Sequence, residues 1–294
     1  MDVPDDDAGV PAFWRRLGLP GLVDLHVHFL PDGVLRKVWA YFDQVREAGV
    51  DWRIWYRTGE AERLAALRAL GVRAFPALAY PHKPGMAGWL NEWTAQFAAE
   101  QPDCLTSATF FAEPGAGAAM RAALDSGVRI VKSHLQVGGY DPRDPLLDEV
   151  WGGLAEAGTP VVCHCGDGPA PGRFTGPGPM SEVLARHPRL TLVVAHLGLP
   201  NYAEFLELAA RYPNVHLDTT MAFTPFIEAL APFPPGLRPR LADLGDRIVL
   251  GSDFPNIPYP YATQLASLAG LELGDAWLRG VLWDNPARLV GLSG

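Results

Sequence analysis

The chain has 294 residues, with 24 Lys and Arg against 33 Asp and Glu, and a formal net charge of −9. Its 48% hydrophobic and 19% charged residues are typical of a globular protein and exclude a disordered chain. The acidic balance and the lack of any run of basic residues argue against a nucleic-acid-binding protein.

Short apolar segments alternate with amphipathic segments along the chain. The apolar segments are mostly continuous, as in strands buried on both faces of a parallel sheet. They predict an α/β protein with a (β/α)8 TIM barrel, and a doubly wound open sheet is the alternative. The predicted strands are 22–28, 72–80, 104–110, 128–136, 160–165, 190–196, 215–219 and 247–252. The predicted helices are 32–47, 85–101, 116–125, 145–157, 179–187, 202–211, one within 225–244, and others to the end of the chain.

No repeat or linker divides the chain, so a single barrel domain is predicted over 1–294. Residues 1–20 are interpreted as an N-terminal extension and 284–294 as a C-terminal helix. The segment 50–56 is interpreted as an additional strand outside the barrel. Glycine and proline dominate 166–179, which predicts a long loop, and long loops in compact domains are often functional.

The three cysteines, Cys104, Cys163 and Cys165, are too few for a disulfide framework. Cys163 and Cys165 lie two apart on a predicted strand, a poor geometry for a disulfide, and are interpreted as core residues. The first residues, MDVPDDDAG, are acidic and unlike a secretory signal. The sequence contains no stretch of about 18 apolar residues, so no membrane span is predicted. A cytoplasmic protein is expected.

Histidines and one aspartate mark the ends of five predicted strands. The carboxyl ends of barrel strands meet at one mouth, so we expect these side chains to lie close together. They are His26, His28, His134, His164, His196 and Asp253.

A His-x-His pair on a strand directs two imidazoles to the same side, with Cα atoms about 6.5 Å apart, so both can bind one ion. Imidazole nitrogens and carboxylate oxygens suit zinc and similar divalent ions. In the alternative, each histidine is hydrogen-bonded in the core and Asp253 caps a helix. Several ionisable groups at one mouth favour the metal site, because such groups are costly to bury without partners. An ion there would activate water, and a further histidine would take its proton.

The segments VDLHVH, GVRIVKSHL, PVVCHCG, LTLVVAHLG, NVHLDTT, RIVLGSDFP and WDNPARL follow one another from about residue 22 to 291. In this order they resemble the amidohydrolase superfamily, in particular the amidohydrolase-related branch that includes aminocarboxymuconate semialdehyde decarboxylase and resorcylate decarboxylases. The resemblance implies that one divalent metal ion, zinc or else manganese, is bound by His26, His28, His164 and Asp253. It also implies that His196 is either a second-sphere histidine or a general acid/base, and that Asp253 accepts a proton from the attacking water.

Lys132 shares a strand face with His134. Other branches of the superfamily carry a carboxylated lysine on this strand that bridges two metals, whereas an ordinary lysine there leaves a single metal, which we favour. Cationic side chains near the mouth can hold a substrate carboxylate, and aromatic side chains can wall an apolar pocket. The predicted substrate-binding residues are Lys132, His134, Lys83, Arg173 and Phe29. Further candidates near strand ends are His82, Phe110, Phe111, Asp218, Phe254 and Tyr259.

The predicted function is a metal-dependent hydrolase in which an activated water attacks the carbonyl of a small amide, lactone or ester. The alternatives are a non-oxidative decarboxylase of a small carboxylic acid on the same metal site, a metal-independent lactonase, and a catalytically silent barrel. A decarboxylase needs a cation for the carboxylate, and only Arg36 follows HVHFLPDG closely, which favours hydrolysis. The expected partner is a small-molecule substrate, with no nucleic acid and no membrane; a homodimer through exposed helices is also expected.

Overall fold

The computed structural model describes residues 3–292, in which nine parallel strands alternate with helices. Three strands pair in the order β1–β2–β3, and six pair in the order β4–β5–β6–β7–β8–β9. The strands are β1 (Leu22–Val23), β2 (Val72–Pro76), β3 (Cys104–Leu105), β4 (Ser107–Thr109), β5 (Ile130–His134), β6 (Val161–His164), β7 (Leu192–Val194), β8 (Val215–Asp218) and β9 (Ile248–Val249).

The two sheets are joined at both ends. A single residue separates β3 from β4, so these two segments share one strand position of the barrel. At the other junction, the backbone N–H of Leu25 donates to Leu250 O over 2.9 Å, and that of His28 donates to Phe254 O over 2.7 Å. The first strand position therefore lies beside the eighth, and the predicted (β/α)8 barrel is confirmed.

Helices follow the strands around the barrel, and none of those within residues 3–292 is both long and apolar enough to cross a membrane. They are α1 (Val10–Arg16), α2 (Asp32–Glu47), α3 (Glu60–Leu70), α4 (Ala87–Glu100), α5 (Ala116–Asp125), α6 (Leu135–Gly138), α7 (Asp148–Ala157), α8 (Pro177–Arg186), α9 (Tyr202–Arg211), α10 (Pro225–Leu230), α11 (Arg238–Asp243), α12 (Tyr261–Ala269), α13 (Asp275–Arg279) and α14 (Asn285–Leu289).

Apolar strand residues fill the barrel interior below the polar residues at its mouth. Ile130, Val162 and Val193 are fully buried in one cluster. Side chains two apart on a strand share a face, so Ile130 lies below Lys132 and Val162 lies below His164. The same alternation thus supplies a dry interior and places the ionisable groups at the carboxyl ends of the strands.

The segment between the first two barrel strands differs from the prediction. Residues 50–56 form no strand, although Trp52, Ile54 and Tyr56 are buried in alternation with exposed neighbours. Trp52 Nε1 donates to Asn256 O over 2.7 Å, so this extended segment packs on a loop rather than in a sheet. The alternation that predicted a strand reflects this packing.

The helix α3 was not predicted, and it packs its leucines into the core beside β2. It takes the place on the barrel wall that was expected for α2.

The ends of the chain are partly helical. The predicted extension 1–20 contains α1, whose Trp14 is buried and donates from Nε1 to Leu70 O over 3.0 Å. At the other end, α13 continues through a π-helical turn, Gly280–Asp284, into α14, which ends at Leu289. The predicted helix 284–294 is therefore shorter than expected, and residues 1, 2, 293 and 294 lie outside the described part of the chain. The single-domain boundaries stay a prediction.

His216 on β8 makes stability depend on pH. Burial first, and then the charges of Arg288 and Arg247, lower the pKa of His216 to about 4. An unfolded histidine titrates near pH 6.5, so the unfolded chain binds an extra proton below that pH, and the free energy of unfolding falls down to about pH 4. We expect His216→Gln to abolish at most about 3 kcal/mol of this loss, as measured by urea unfolding at pH 7 and pH 4.

The matched control is His82→Gln, because His82 is exposed. The control should follow the wild-type pH profile. Identical profiles for wild type and His216→Gln would contradict the assignment.

Candidate active site

A cavity of about 1660 Å³ opens at the carboxyl ends of the strands. The predicted site residues at the strand ends converge on it, as the barrel geometry requires. Those that line it are His26, His28, Lys132, His134, His164, His196 and Asp253.

His26 is held by polar groups on both sides of its ring. Its Nδ1 lies 2.8 Å from Asp218 Oδ2 and 3.0 Å from Thr220 Oγ1. A carboxylate only accepts, so Nδ1 carries the proton and the lone pair lies on Nε2. Burial, followed by the charge of Lys132, holds the pKa of His26 well below its usual value, which keeps the ring neutral. The ring therefore offers Nε2 as a ligand atom.

His28 also presents its Nε2 to the site, but through a different contact. Its Nδ1 donates to the carbonyl oxygen of Leu78 over 2.7 Å, so Nε2 is the ring nitrogen that can bind a metal. That Nε2 lies 2.9 Å from Asp253 Oδ1. At this distance a proton on Nε2, or a cation in its place, interacts with both atoms.

Asp253, at the end of the eighth strand position, lies beside His26 and His28. Its backbone has φ +71°, a left-handed conformation that few residues other than glycine adopt, and its N–H donates to His26 O over 2.8 Å. Burial alone raises the pKa of Asp253. The contact with the His28 ring, and then the nearby rings of His26 and His196, outweigh burial, so this pKa lies well below its usual value. The side chain is an ionised carboxylate.

These three residues form what we call the His–His–Asp group. One donor atom from each of His26, His28 and Asp253 lies within 4.8 Å of the other two. Among residues 3–292, no other His, Cys, Asp or Glu cluster has this geometry. Two imidazole nitrogens and a carboxylate oxygen suit zinc or manganese, and three protein ligands leave a position open for water or substrate. The residues present therefore fit a divalent ion.

Lys132 is fully buried beside this group. Its Nζ lies 2.9 Å from His26 Nε2, to which it donates. Burial lowers the pKa of Lys132 to about 8, although the charges of Asp218 and Asp253 oppose the shift. The His26 Nε2 has a single lone pair, so Lys132 must release this hydrogen bond when His26 binds a metal.

His134 and His164 lie side by side because β5 and β6 pair them in register. Their rings stack, with centroids 4.1 Å apart and an interplanar angle of 9°. His164 Nε2 donates to Gly168 O over 2.8 Å, and burial lowers the pKa of His164 to about 3. This hydrogen bond and the stacking keep the fourth predicted ligand outside the His–His–Asp group, and its ligand role stays a prediction.

His196 lies on the turn that follows β7. Its backbone has φ 56°, and its N–H donates to Asp218 Oδ1 over 2.8 Å. The ring centroid lies 5.2 Å from that of His26 and 4.8 Å from that of His164. Burial lowers the pKa of His196, which favours a neutral ring. A neutral imidazole beside the group is suited to accept a proton.

Asp218, which the sequence offered only as a candidate near a strand end, is a hydrogen-bond acceptor for groups around the site. One carboxylate oxygen accepts from His26, and the other accepts from the backbone N–H groups of His196 and Thr220. The end of β8 therefore holds the side chain of His26 and the backbone of the turn that carries His196. A buried carboxylate that accepts from the far nitrogen of a metal-binding histidine orients the ring and raises its basicity.

Two further residues support the site, and sequence reasoning did not single them out. Asp24 accepts from the Ser252 hydroxyl over 2.5 Å and from the Tyr261 hydroxyl over 2.8 Å, and so joins the first strand to the eighth. Gly251 lies so close to the site that a Cβ there would be 2.9 Å from His26 Cβ and 3.1 Å from Asp218 Cγ. The only sequence signal was their position beside the motifs DLH and GSD.

Three predicted substrate-binding residues lie away from the group. Phe29 is fully buried and does not line the cavity, because its ring stacks on Phe97 with centroids 4.9 Å apart. Arg173 is exposed with its guanidinium 5.0 Å from the Phe174 ring centroid, and it also does not line the cavity. Both residues pack on an aromatic ring, and their substrate-binding role stays a prediction. Lys83 is exposed at the cavity rim.

A family model for the amidohydrolases matches residues 23–292. The chain belongs to the amidohydrolase family. The family assignment agrees with the resemblance inferred from the motifs. No curated protein matches the chain.

Several solved structures have a similar fold. An uncharacterized TIM-barrel protein from Bordetella bronchiseptica has a TM-score of 0.74 at 20% identity, covering 92% of this chain and 99% of that one. A protein provisionally named a 2-pyrone-4,6-dicarboxylic acid hydrolase, from Pseudomonas putida, has a TM-score of 0.62 at 18% identity, covering 94% and 99%. A 5-carboxyvanillate decarboxylase from Novosphingobium aromaticivorans, complexed with manganese and a nitrobenzoic acid, has a TM-score of 0.59 at 16% identity, covering 94% and 97%. At these identities the likeness shows the fold.

Proposed function

We propose that the protein is a metal-dependent hydrolase in which water attacks the carbonyl carbon of a small amide, lactone or ester and the C–N or C–O bond to the leaving group breaks. The observation that carries this proposal is the His–His–Asp group, whose two imidazoles are fixed with their Nε2 atoms toward one carboxylate. A divalent ion bound there, zinc or manganese, would activate water and polarise the carbonyl. Manganese in the structurally similar decarboxylase supports this type of ion.

The chain itself supplies the proton transfers. Asp253 is an ionised carboxylate at the group, so it can accept a proton from the attacking water. That proton can then pass to the leaving oxygen or nitrogen through His196, next to His26, whose neutral imidazole accepts it first. Asp218 holds both histidines in place through its two oxygens. Asp253 and His196 thus have proposed roles in proton transfer, and Asp218 has a positioning role.

A non-oxidative decarboxylase is the second candidate, because the buried ammonium of Lys132 lies beside the group and can hold a carboxylate. Two observations favour hydrolysis. Lys132 already interacts with the charges of Asp218 and Asp253, and no arginine of residues 3–292 lines the cavity. The fold does not choose between the reactions, because one barrel supports both.

The first test is the metal content of the purified wild-type protein and of His28→Ala, measured by inductively coupled plasma mass spectrometry. We expect about one equivalent of zinc or manganese in the wild type, and at least about a tenfold weaker affinity in the variant, because one of three ligands is lost. The circular dichroism spectrum should be unchanged. Equal metal content in both proteins would exclude the site.

Turnover identifies the reaction. The metal-loaded protein is assayed with lactones, esters and amides by acid release, and with aromatic carboxylic acids by release of carbon dioxide. Hydrolysis that requires the metal supports the proposal. Carbon dioxide release supports the decarboxylase, and lactone hydrolysis that persists in His28→Ala supports a metal-independent lactonase. A protein that holds metal but turns over none of these compounds would contradict the hydrolase.

A further inference from the structure

The cavity is much larger than the His–His–Asp group requires. Its volume of about 1660 Å³ exceeds the range of roughly 300–1,000 Å³ that is usual for small-molecule sites. The ionisable residues at the strand ends occupy only its deep end. The remaining space is enclosed by residues that the proposed chemistry does not use.

The wall of this space is apolar and comes from elements outside the barrel strands. The helix α2 contributes Val34, Val38, Phe42 and Val45, which recur at intervals of three or four residues and so lie on one face. Ile227 on α10 adds to the wall. The apolar face of α2 therefore covers the cavity, whereas α3 packs on the barrel wall.

The apolar surface continues to the rim. Seven large hydrophobic side chains of the described residues are exposed, and four of them line the cavity. An exposed apolar patch of this kind marks a binding surface. The four are Tyr41, Trp89, Val137 and Leu230, which are 51%, 48%, 41% and 50% exposed. The three that do not line the cavity are Val3, Trp55 and Leu146.

The charges of the cavity do not suit an anionic ligand. Lys132 faces carboxylates at the deep end, and Lys37 and Lys83 are exposed at the rim. No arginine among residues 3–292 lines the cavity, although arginine is the usual bidentate partner of a buried carboxylate. Asp167 and Asp253 add negative charge. A dicarboxylate would find no fixed cation away from the His–His–Asp group.

We infer that the substrate is an uncharged ester, lactone or amide with an extended apolar portion. Its reactive carbonyl lies at the His–His–Asp group, and its apolar portion lies between α2 and α10 and reaches the rim. This inference rests on the proposed function for the reacting end. The apolar portion rests on α2 and the rim residues alone.

The test uses neutral lactones that differ only in a methyl, pentyl or nonyl side chain. Each buried methylene contributes about 0.8 kcal/mol, so we expect kcat/KM of the metal-loaded enzyme to rise at least about 100-fold from methyl to nonyl. In the double variant Tyr41→Glu, Leu230→Glu the nonyl-to-methyl ratio of kcat/KM should fall at least about tenfold. Both positions are exposed, so the substitutions are compatible with folding.

The matched control is Leu146→Glu, an exposed leucine away from the cavity, which should keep the wild-type ratio. A ratio near one in the wild type would overturn the inference and leave the hydrolase intact. So would faster turnover of a lactone that carries a carboxylate at the end of its side chain.

A binding measurement separates the inference from the reaction. Decan-1-ol and decanedioate are titrated calorimetrically into the wild type, the double variant and Leu146→Glu. Binding of the alcohol but not the dianion, weakened only in the double variant, supports the apolar ligand class even if no lactone is hydrolysed. The proposed function would then fail by itself. Tighter binding of the dianion would overturn the inference.

Discussion

Replacing Asp253 by asparagine should lower kcat/KM by about 100- to 10,000-fold, the usual contribution of a positioned proton acceptor. An amide has the shape of the carboxylate, but it accepts no proton and carries no charge for a bound cation. Asparagine tolerates the left-handed backbone at this position, so the fold should be preserved. Steady-state kinetics with the best lactone or ester, together with thermal unfolding, measures the effect.

Asp167→Asn is the matched control, because Asp167 lines the same cavity but its carboxylate accepts a hydrogen bond from the Thr175 hydroxyl rather than from the site histidines. We expect its kcat/KM to stay within about threefold of wild type. Turnover by Asp253→Asn at the wild-type rate would remove Asp253 from the mechanism. An equal loss in both variants would assign the effect to the general charge of the cavity.

Gly251→Ala should lower the free energy of unfolding by about 1–3 kcal/mol, as overpacking of a tight site does. It should also lower kcat/KM by about 100-fold, because a shift of about 1 Å in a catalytic group has that effect. The added Cβ would overlap Thr220 Oγ1 and lie 2.9 Å from His26 Cβ, so His26 or the Thr220 side chain beside it must shift. Urea unfolding and kinetics measure the two effects.

The control makes the same chemical change where there is room. A Cβ on Gly178 meets nothing within 4 Å, and this residue lies in α8. Gly178→Ala should leave kcat/KM unchanged and should leave stability unchanged or raise it, since alanine favours helix. If Gly251→Ala also has wild-type stability and kinetics, the close approach of these strands does not position His26.

Much of this architecture could be predicted because it follows from strand parity and barrel geometry. The spacing of His26 and His28 directs both to one side of a strand, and Asp253 joins them because the first and eighth strand positions are neighbours. The stacking of His134 on His164 depends instead on strand register, which no local pattern reveals. The Gly168 carbonyl that accepts from His164 lies in an irregular loop, and no local sequence pattern predicts its position either.

The covering of the cavity could not be predicted either. The apolar face of α2 has the period of a helix that packs on a barrel wall, and its sequence does not say which surface it covers. The α2 helix covers the cavity because α3 already occupies the barrel wall beside β2. Residues 50–56 mislead in a similar way, because alternating burial on a loop has the same signature as a strand.

The first and eighth strand positions meet through Asp24, Ser252 and Tyr261, and this junction sets when the site can exist during synthesis. Two of the three donors of the His–His–Asp group, His26 and His28, are synthesised more than two hundred residues before Asp253. A nascent chain that lacks the last strand therefore has only a pair of imidazoles, with no carboxylate to complete the group. An ion that binds all three stabilises the closed barrel over any open intermediate, so its uptake reports that the first and eighth strand positions have paired.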